Sequence, residues 1–313
     1  MVDRKYYFVI NPQSANGATG RNWGSMARAV SRELGDFDYA FTRAPMEAAA
    51  VTRTALERGF DTIVAVGGDG TLHEVVNGFF APNDGGPAKP VAPGAALGLI
   101  PRGTGGDFRR SLGLDLELGS ALALIKSGHT KPLDVGRATY RNAAGRDEQR
   151  YFVNETSFGI SAEAAREVNA RSKALGPKLT FALGSFRALL NYRDRRVRIS
   201  LDGAPARALT ITSVTAANGR FFGGGMKVAP AAALGDGLFS ITIWSGMGLG
   251  AFLKHNSKLY SGAHVSLPGT RCETAKKLVA ESDERVLLEL DGEQPGTLPC
   301  TIEMVPSAIR LLC

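Results

Sequence analysis

The chain has 313 residues, of which 44% are hydrophobic and 21% charged; this balance suits a folded globular protein of about two domains and excludes a disordered or low-complexity chain. A formal net charge of +7 favours an anionic partner such as a nucleotide, an acidic lipid surface or a nucleic acid. No stretch approaches the roughly 18 unbroken apolar residues of a membrane span, and MVDRKYYFVI enters a strand-like pattern without a signal-peptide layout, so a cytoplasmic location is expected.

In chain order, KYYFVINP reads as a strand, RNWGSMARAVSREL as an amphipathic helix, FDYAFT as a strand, and PMEAAAVTRTALERG as a helix that exits at Gly59. DTIVAVGG is a third strand, TLHEVVNGFF a helix, ALGLIP a fourth strand and LELGSALALIKSG a helix. This alternation predicts a parallel sheet covered by helices on both faces. Near Lys131 the texture changes. RYFVNETSFGI, RRVRISLDG, ALTITSVTAAN, GLFSITIWS and RVLLELDG succeed one another as short strand-like runs with Gly, Asp and Asn turns between them. Helical segments interrupt them at SAEAAREVNARSKALG, KLTFALGSFRALLNY and GLGAFLKHNSKLY. The second part is expected to be an antiparallel sandwich or barrel with added helices, which divides the chain into domains over 1–132 and 133–302.

Cys272, Cys300 and Cys313 form no CxxC and have no histidine at metal spacing, so they read as reduced thiols. Arg193, Arg195, Arg196 and Arg198 form the densest basic cluster; it is either a solvated surface run or a membrane-facing patch. Nothing resembles an RNP, zinc-finger or helix-turn-helix signature, which sets nucleic acid aside.

Ligands of open parallel sheets gather at the carboxyl ends of the strands. Four polar or glycine-rich turns fall there: INPQSANG, FTRAP, GGDGT and PRGTGGDF. In the third, Gly67, Gly68 and Gly70 allow close approach of the backbone to a ligand, and the following helix start favours phosphate. Thr71 and Glu74 have capping-box spacing, which makes Glu74 a helix cap. Asp69 would repel phosphate unless a cation lay between, so it suggests a nucleotide carried with Mg2+; an ordinary Asx turn is the alternative. His73 replaces the third glycine of a dinucleotide fingerprint and no G-x-x-x-x-G-K-[ST] occurs, which disfavours dehydrogenases and Walker ATPases. In the fourth turn Thr104 offers a hydroxyl and Asp107 is expected to cap a helix.

NPQSANG, GGDGTLHEVVNG, GTGGDF, NETSFGI, NGRFFGGGMKVAP with GDGLFSI, and LDGE occur in that order. The sequence thereby resembles, over essentially its whole length, the diacylglycerol kinase catalytic family, which includes bacterial soluble diacylglycerol kinases, sphingosine kinases and ceramide kinases. The resemblance implies a Rossmann-like nucleotide-binding α/β domain, a C-terminal β-sandwich domain, an active site in the cleft between them, and return of the last residues, about 303–313, to the first domain. It implies ATP contacts from Asn11, Thr42, the turn Gly67, Gly68, Asp69, Gly70, Thr71, Leu72 and His73, and Thr104, with Asp69 beside Mg2+ and the phosphates.

In LDGE the resemblance implies Glu293 as the general base toward a lipid hydroxyl, with Asp291 in the same motif; without it, Asp-Gly after LLEL reads as a hairpin turn. It also implies a structural Mg2+ site at Asp236 with the carbonyls of Ala233 and Leu238. Gly106 departs from the family, which usually has asparagine before this aspartate. The expected activity is ATP-dependent phosphorylation of a lipid alcohol met peripherally at the membrane, through loops such as GRFFGGGM or faces such as KLTFALGSFRALL. A homodimer is a further expectation. The alternatives are an NAD-kinase-like enzyme and a non-catalytic nucleotide or lipid sensor.

Overall fold

A computed structural model describes residues 4–82, 86, 88–103, 105–169 and 192–313. The chain divides into two compact units, one of residues 1–135 with 305–313 and one of residues 136–304.

The first unit is a parallel sheet, β1 (Tyr6–Ile10), β2 (Phe37–Phe41), β3 (Thr62–Gly67) and β4 (Ala96–Pro101), with the end of the last strand, β15 (Glu293–Leu312), beside β4. β1, β3 and β4 are buried throughout, as expected of apolar strands covered on both faces. On one face α1 (Ala18–Leu34) buries Thr19, Trp23, Met26 and Val30 at helical spacing. That stripe packs with Ala121, Leu122 and Ile125 of α5 (Leu118–Ser127) over Phe8, Ile10, Val64 and Val66. α2 (Glu47–Glu57) and α3 (Asp69–Gly78) pack on each other and on β3. The strand order β4-β3-β1-β2 reverses direction between β1 and β3. Such a reversal leaves a crevice outside the carboxyl ends of those two strands.

The second unit is antiparallel. β5 (Thr130–Asn142) pairs with β6 (Asp147–Phe152), while β7 (Glu155–Gly159), β10 (Ser213–Ala217), β11 (Phe239–Trp244), β12 (Thr270–Ala275) and β14 (Leu287–Leu290) form the order β12-β11-β10-β7-β14, with β15 next to β14. β8 (Arg195–Leu201), β9 (Arg207–Ile211) and β13 (Lys277–Glu281) extend the pairing from β15. Side chains from these strands enclose one core containing Phe152, Phe158, Val197, Ile199, Phe239, Ile241, Leu278 and Leu288. This is the expected β-sandwich, with α6 (Ile160–Asn169) and α7 (Leu249–Ser261) added. No helix among the described residues is long and apolar enough to cross a membrane.

Several local expectations need correction. RYFVNETSFGI is two strands interrupted at Val153 and Asn154, and ALTITSVTAAN divides at Thr212 into β9 and β10. A short helix, α4 (Asp107–Leu112), follows the fourth turn, as the helix cap expected there implied. KLTFALGSFRALLNY lies outside the described residues but for Tyr192. Arg195 and Arg198 of the basic cluster form surface ion pairs consistent with a solvated run: Arg195 meets Glu284 at 3.2 Å, and Arg198 meets Asp283 at 3.1 Å and Glu281 at 3.6 Å.

Phe158 is 1% exposed and projects from β7 into the enclosed core. Phe158→Ala is expected to cost about 3–5 kcal/mol of unfolding free energy in denaturant titrations. A loss below about 1 kcal/mol would place the core elsewhere.

Candidate active site

In the first unit, Asn11 leaves β1 and Gly67 ends β3, on the two sides of the strand-order reversal. The Asn11 amide donates to Thr71 Oγ1 at 3.2 Å, and its Oδ1 accepts the Gln13 N–H at 2.9 Å. Thr42 is tied into the same edge by its N–H to the Ile10 carbonyl at 2.8 Å. The third and fourth turns are packed backbone to backbone. A Cβ on Gly103 would lie 2.6 Å from Gly68 Cα, and one on Gly68 would lie 3.1 Å from Gly103 Cα, so neither position accepts a side chain without separating the turns. The Arg102 N–H to Gly67 carbonyl bond, 2.7 Å, fixes the same register.

Asp69 sits at the junction. Its carboxylate accepts the N–H groups of Asp107 at 2.9 Å and Phe108 at 3.3 Å, two of the amides that an α-helix leaves unpaired at its start. Asp69 therefore caps α4, and the expectation that Asp107 is the cap is corrected: Asp107 is the first residue of α4 and pairs with Arg110 at 2.8 Å. The residue before α4, Gly106, has φ +61° and ψ +47°, a left-handed conformation that glycine and asparagine both adopt readily.

The capping box is also corrected. α3 begins at Asp69 with Gly68 as its cap residue and no side-chain cap. Glu74 reaches away instead, accepting the Ala48 N–H at the start of α2 at 3.1 Å. Leu72 and His73 are each 1% exposed, so their side chains are enclosed in the fold. Asn77 bonds back to the His73 carbonyl at 2.8 Å. Gly70 lies in the first turn of α3, and Thr104 lies outside the described residues. Sequence reasoning passed over Arg102, a cation directly after β4 whose Nη2 lies 3.3 Å from Met26 Sδ.

In the second unit, register places the motifs on one sheet edge. Ala217, the last residue of β10, pairs with Glu155, the first of β7, and with Ser240 near the start of β11. Leu290, the last of β14, pairs with Thr156. NETSFG, the loop after β10, the GDG loop before β11 and LDGE therefore meet along that edge. Asp291 and Gly292 form a two-residue hairpin turn with φ +49° and +93° between the paired Leu290 and Glu293. Positive φ at both positions is the type I′ geometry that favours Asp-Gly. The Asp291 carboxylate accepts three consecutive amides: Val153 at 2.9 Å, Asn154 at 2.9 Å and Glu155 at 3.1 Å. Its own N–H donates to the Glu155 carbonyl at 3.0 Å. Those bonds make Asp291 a fixed anchor of the turn, whereas Glu293 opens β15 with an exposed side chain.

Asp236 is exposed, and its Oδ1 accepts the Leu238 N–H at 3.0 Å, an Asx-type closure of the loop that also contains Ala233. No cluster of three or more His, Cys, Asp or Glu residues with metal-ligand geometry occurs among the described residues. An oxygen site there would depend on carbonyls and water. In the GRFFGGGM loop, Phe222 pairs across with Met226 and packs against an interior cluster with Val228 and Trp244.

Beneath the hairpin lies a pair of acids that the sequence reading missed. Glu155 and Glu289 are each 2% exposed and lie on one face of the β7–β14 pair, with their carboxyls close enough to interact. Ser157 Oγ donates to Glu289 Oε2 at 2.5 Å, and the Gly292 N–H donates to Oε1. Burial pushes the Glu289 carboxyl up to about 7, against the lowering effect of its hydrogen bonds, and the nearby Asp291 charge adds to the rise. The available signal was a glutamate between two leucines in LLEL, a strand covered on both faces.

Because the folded chain holds this proton more tightly than the unfolded chain, the stability it contributes is complete below pH 4.5 and is lost as pH rises toward and through about 7. The melting temperature of Glu289→Gln relative to the parent chain should therefore rise between about pH 5 and pH 8. A pH-independent difference would place the titration elsewhere.

The diacylglycerol kinase catalytic domain matches residues 5–138, and the YegS C-terminal NAD kinase beta sandwich-like domain matches residues 154–313. Among curated proteins, the diacylglycerol kinase of Bacillus subtilis (strain 168) is 31% identical over 255 residues, covering 81% of this chain and 78% of that protein. The diacylglycerol kinase of Staphylococcus haemolyticus (strain JCSC1435) is 31% identical over 292 residues, covering 93% of this chain and 82% of that protein. Among solved structures, a Bacillus anthracis str. Sterne protein assigned as a diacylglycerol kinase superposes with a TM-score of 0.78 at 26% identity, covering 99% of this chain and 97% of that one.

Proposed function

We propose, from the premise that this chain belongs to the diacylglycerol kinase catalytic family, that it transfers the γ-phosphate of ATP to the free hydroxyl of a diacylglycerol. The observation that carries this reading is the apposition of Gly68 and Gly103 with Asp69 between their turns. Two turns that meet at glycines, one of them beside the strand-order reversal, suit a polyphosphate, and α3 starts there with amides that helix geometry leaves unpaired.

In this reading Asn11, Thr42, Gly67, Gly68, Gly70 and Thr71, with Thr104, hold the nucleotide, while Leu72 and His73 contribute backbone only. Asp69 fits a magnesium ion carried by the nucleotide, since Mg2+ commonly takes one or two carboxylates plus substrate phosphates. When bound, the ion neutralises phosphate charge. Arg102 adds a cation at the end of β4.

Glu293 is the proton acceptor. The acceptor oxygen forms its bond to the γ-phosphorus, the bond to the β-phosphate oxygen breaks, ADP leaves, and the hydroxyl proton passes to the Glu293 carboxylate. Phosphoryl transfer asks little covalent chemistry of the protein, so positioning and one base suffice. Asp236 with the Ala233 and Leu238 carbonyls forms a second, structural Mg2+ loop; magnesium should raise the melting temperature of the parent chain and not that of Asp236→Ala. The acceptor is met peripherally at the membrane surface, and the enzyme works in the cytoplasm.

The test is transfer of labelled phosphate from ATP to diacylglycerol in mixed micelles, with ceramide, sphingosine and NAD as competing acceptors. Diacylglycerol should be the preferred acceptor, chelation of magnesium should abolish transfer, and Glu293→Ala should lower kcat about a hundredfold or more. Gly103→Ala should raise the KM for ATP with no change of acceptor preference. Preferred labelling of NAD would replace the lipid reading with an NAD-kinase-like one, and full activity of Glu293→Ala would remove the base.

A further inference from the structure

The sheet face that carries Glu155, Ser157 and Glu289 is both buried and polar. Ser157 and Glu289 lie opposite each other on β7 and β14, with Glu155 two residues away on the same face as Ser157. Leu288 and Leu290 point to the other face and enter the core. The contacts of Glu289 are Glu155, the Ser157 hydroxyl and the Gly292 amide, and none is a cation. Among the described residues, the charged side chains of the surrounding elements include Asp291 in the turn, Glu293 at the start of β15, Arg220 in the loop after β10, and Glu163, Arg166 and Glu167 on α6, which packs on β7 and β14. Arg166 pairs with Glu163 at 2.8 Å and with Glu167 at 3.8 Å, and Asp291 is held by three amides.

Two carboxylates in contact in a dry site cannot both ionise at modest cost. A hydrogen bond between them requires a proton on one, and the two then titrate as a unit. The same pair grips the turn. Oε1 of Glu289 takes the Gly292 N–H, and the Glu155 backbone both donates to the Asp291 carboxylate and accepts the Asp291 N–H. Gly292 immediately precedes Glu293.

We propose that Glu155 and Glu289 hold a single proton between them, and that this pair is a positioning element fixing the Asp291–Gly292 turn and hence the place of the Glu293 carboxylate. The activity part of this inference rests on the reading of Glu293 as base; the proton-sharing part does not. Loss of the shared proton sets two charges against each other under the turn. The high value of the Glu289 carboxyl is in keeping with a pair that keeps its proton near neutrality.

The experiment compares the parent chain with Glu289→Gln, Glu289→Leu and Glu155→Gln. Infrared difference spectra near neutral pH should show a protonated-carboxyl band that vanishes in either glutamine variant, because the remaining acid then accepts from the new amide. A band that survives in both would show two independently protonated acids and overturn the proposal. Glu289→Leu should lower kcat about a hundredfold through misplacement of the base with an unchanged KM for ATP. Glu289→Gln should recover most of that loss and carry activity to higher pH than the parent chain. Amide exchange at Gly292 should quicken in Glu289→Leu and return to the parent rate in Glu289→Gln. A Gly292 amide as protected in Glu289→Leu as in the parent chain would overturn the positioning role, and so, where Glu289→Leu folds poorly, would an unchanged alkaline limit of activity in Glu289→Gln. Full activity in Glu293→Ala together with loss of the band in both glutamine variants would remove the base reading and leave the shared proton standing.

Discussion

The second unit is organised around one carboxylate that accepts three successive backbone amides. Asp291 takes the N–H groups of Val153, Asn154 and Glu155, at the point where β6 stops and β7 begins. Those amides would otherwise be buried without partners, at a cost of about 1–3 kcal/mol each. Their alignment also decides where β7 starts. From it follow the pairing of Glu155 with Ala217 and the position of the loop after β10, whose Asn218 and Gly219 N–H groups donate to the Asn154 carbonyl at 2.9 and 2.7 Å. The aspartate can do this only because it occupies the left-handed region at φ +49°, a conformation stabilised by the type I′ turn it shares with Gly292. The hairpin reading of Asp-Gly is thus the observed structure, and it is compatible with the role proposed for Glu293, which follows the turn as the exposed start of β15.

The first unit solves a different problem with the same tools. A phosphate loop with a lysine neutralises charge directly. Here two turns without side chains at their closest point, Gly68 and Gly103, bring backbone to the edge, and an aspartate stands where a cation would be placed. That aspartate is not idle in the fold, since it caps α4. Its two amide donors orient the carboxylate and stabilise its charged form, which is the form a cation requires. The capping role of Asp69 is thus compatible with the metal-facing role proposed for it.

Much of this was legible in the sequence because local physics and tertiary placement agree. β1, β3 and β4 are continuous apolar runs that end in glycine or polar turns, and Trp23, Met26 and Val30 keep helical spacing along α1. The misreadings share one cause: a side chain whose partner is remote in sequence. Thr71 and Glu74 have capping-box spacing, yet Glu74 serves Ala48, 26 residues away. Asp107 has the look of a cap, yet the cap comes from Asp69, 38 residues earlier. The break inside RYFVNETSFGI is made by Asp291, more than 130 residues on. Glu155 and Glu289 sit in strand-like runs and meet only through the β7–β14 register, which no short-range pattern contains.

The departure at Gly106 can be weighed on the same terms. The position precedes α4 and requires φ near +61°, a region in which asparagine is tolerated and glycine is free of strain. Its replacement by glycine leaves the backbone path of the turn intact. What it removes is a side-chain amide at the start of α4, and the two amides that such a group would serve there, those of Asp107 and Phe108, are already taken by Asp69. The helix start therefore keeps its cap without an asparagine. The change reduces the polar groups available to a ligand at that edge while the scaffold that presents the neighbouring turn is unaltered, so on the proposed reading any consequence falls on how the nucleotide is held.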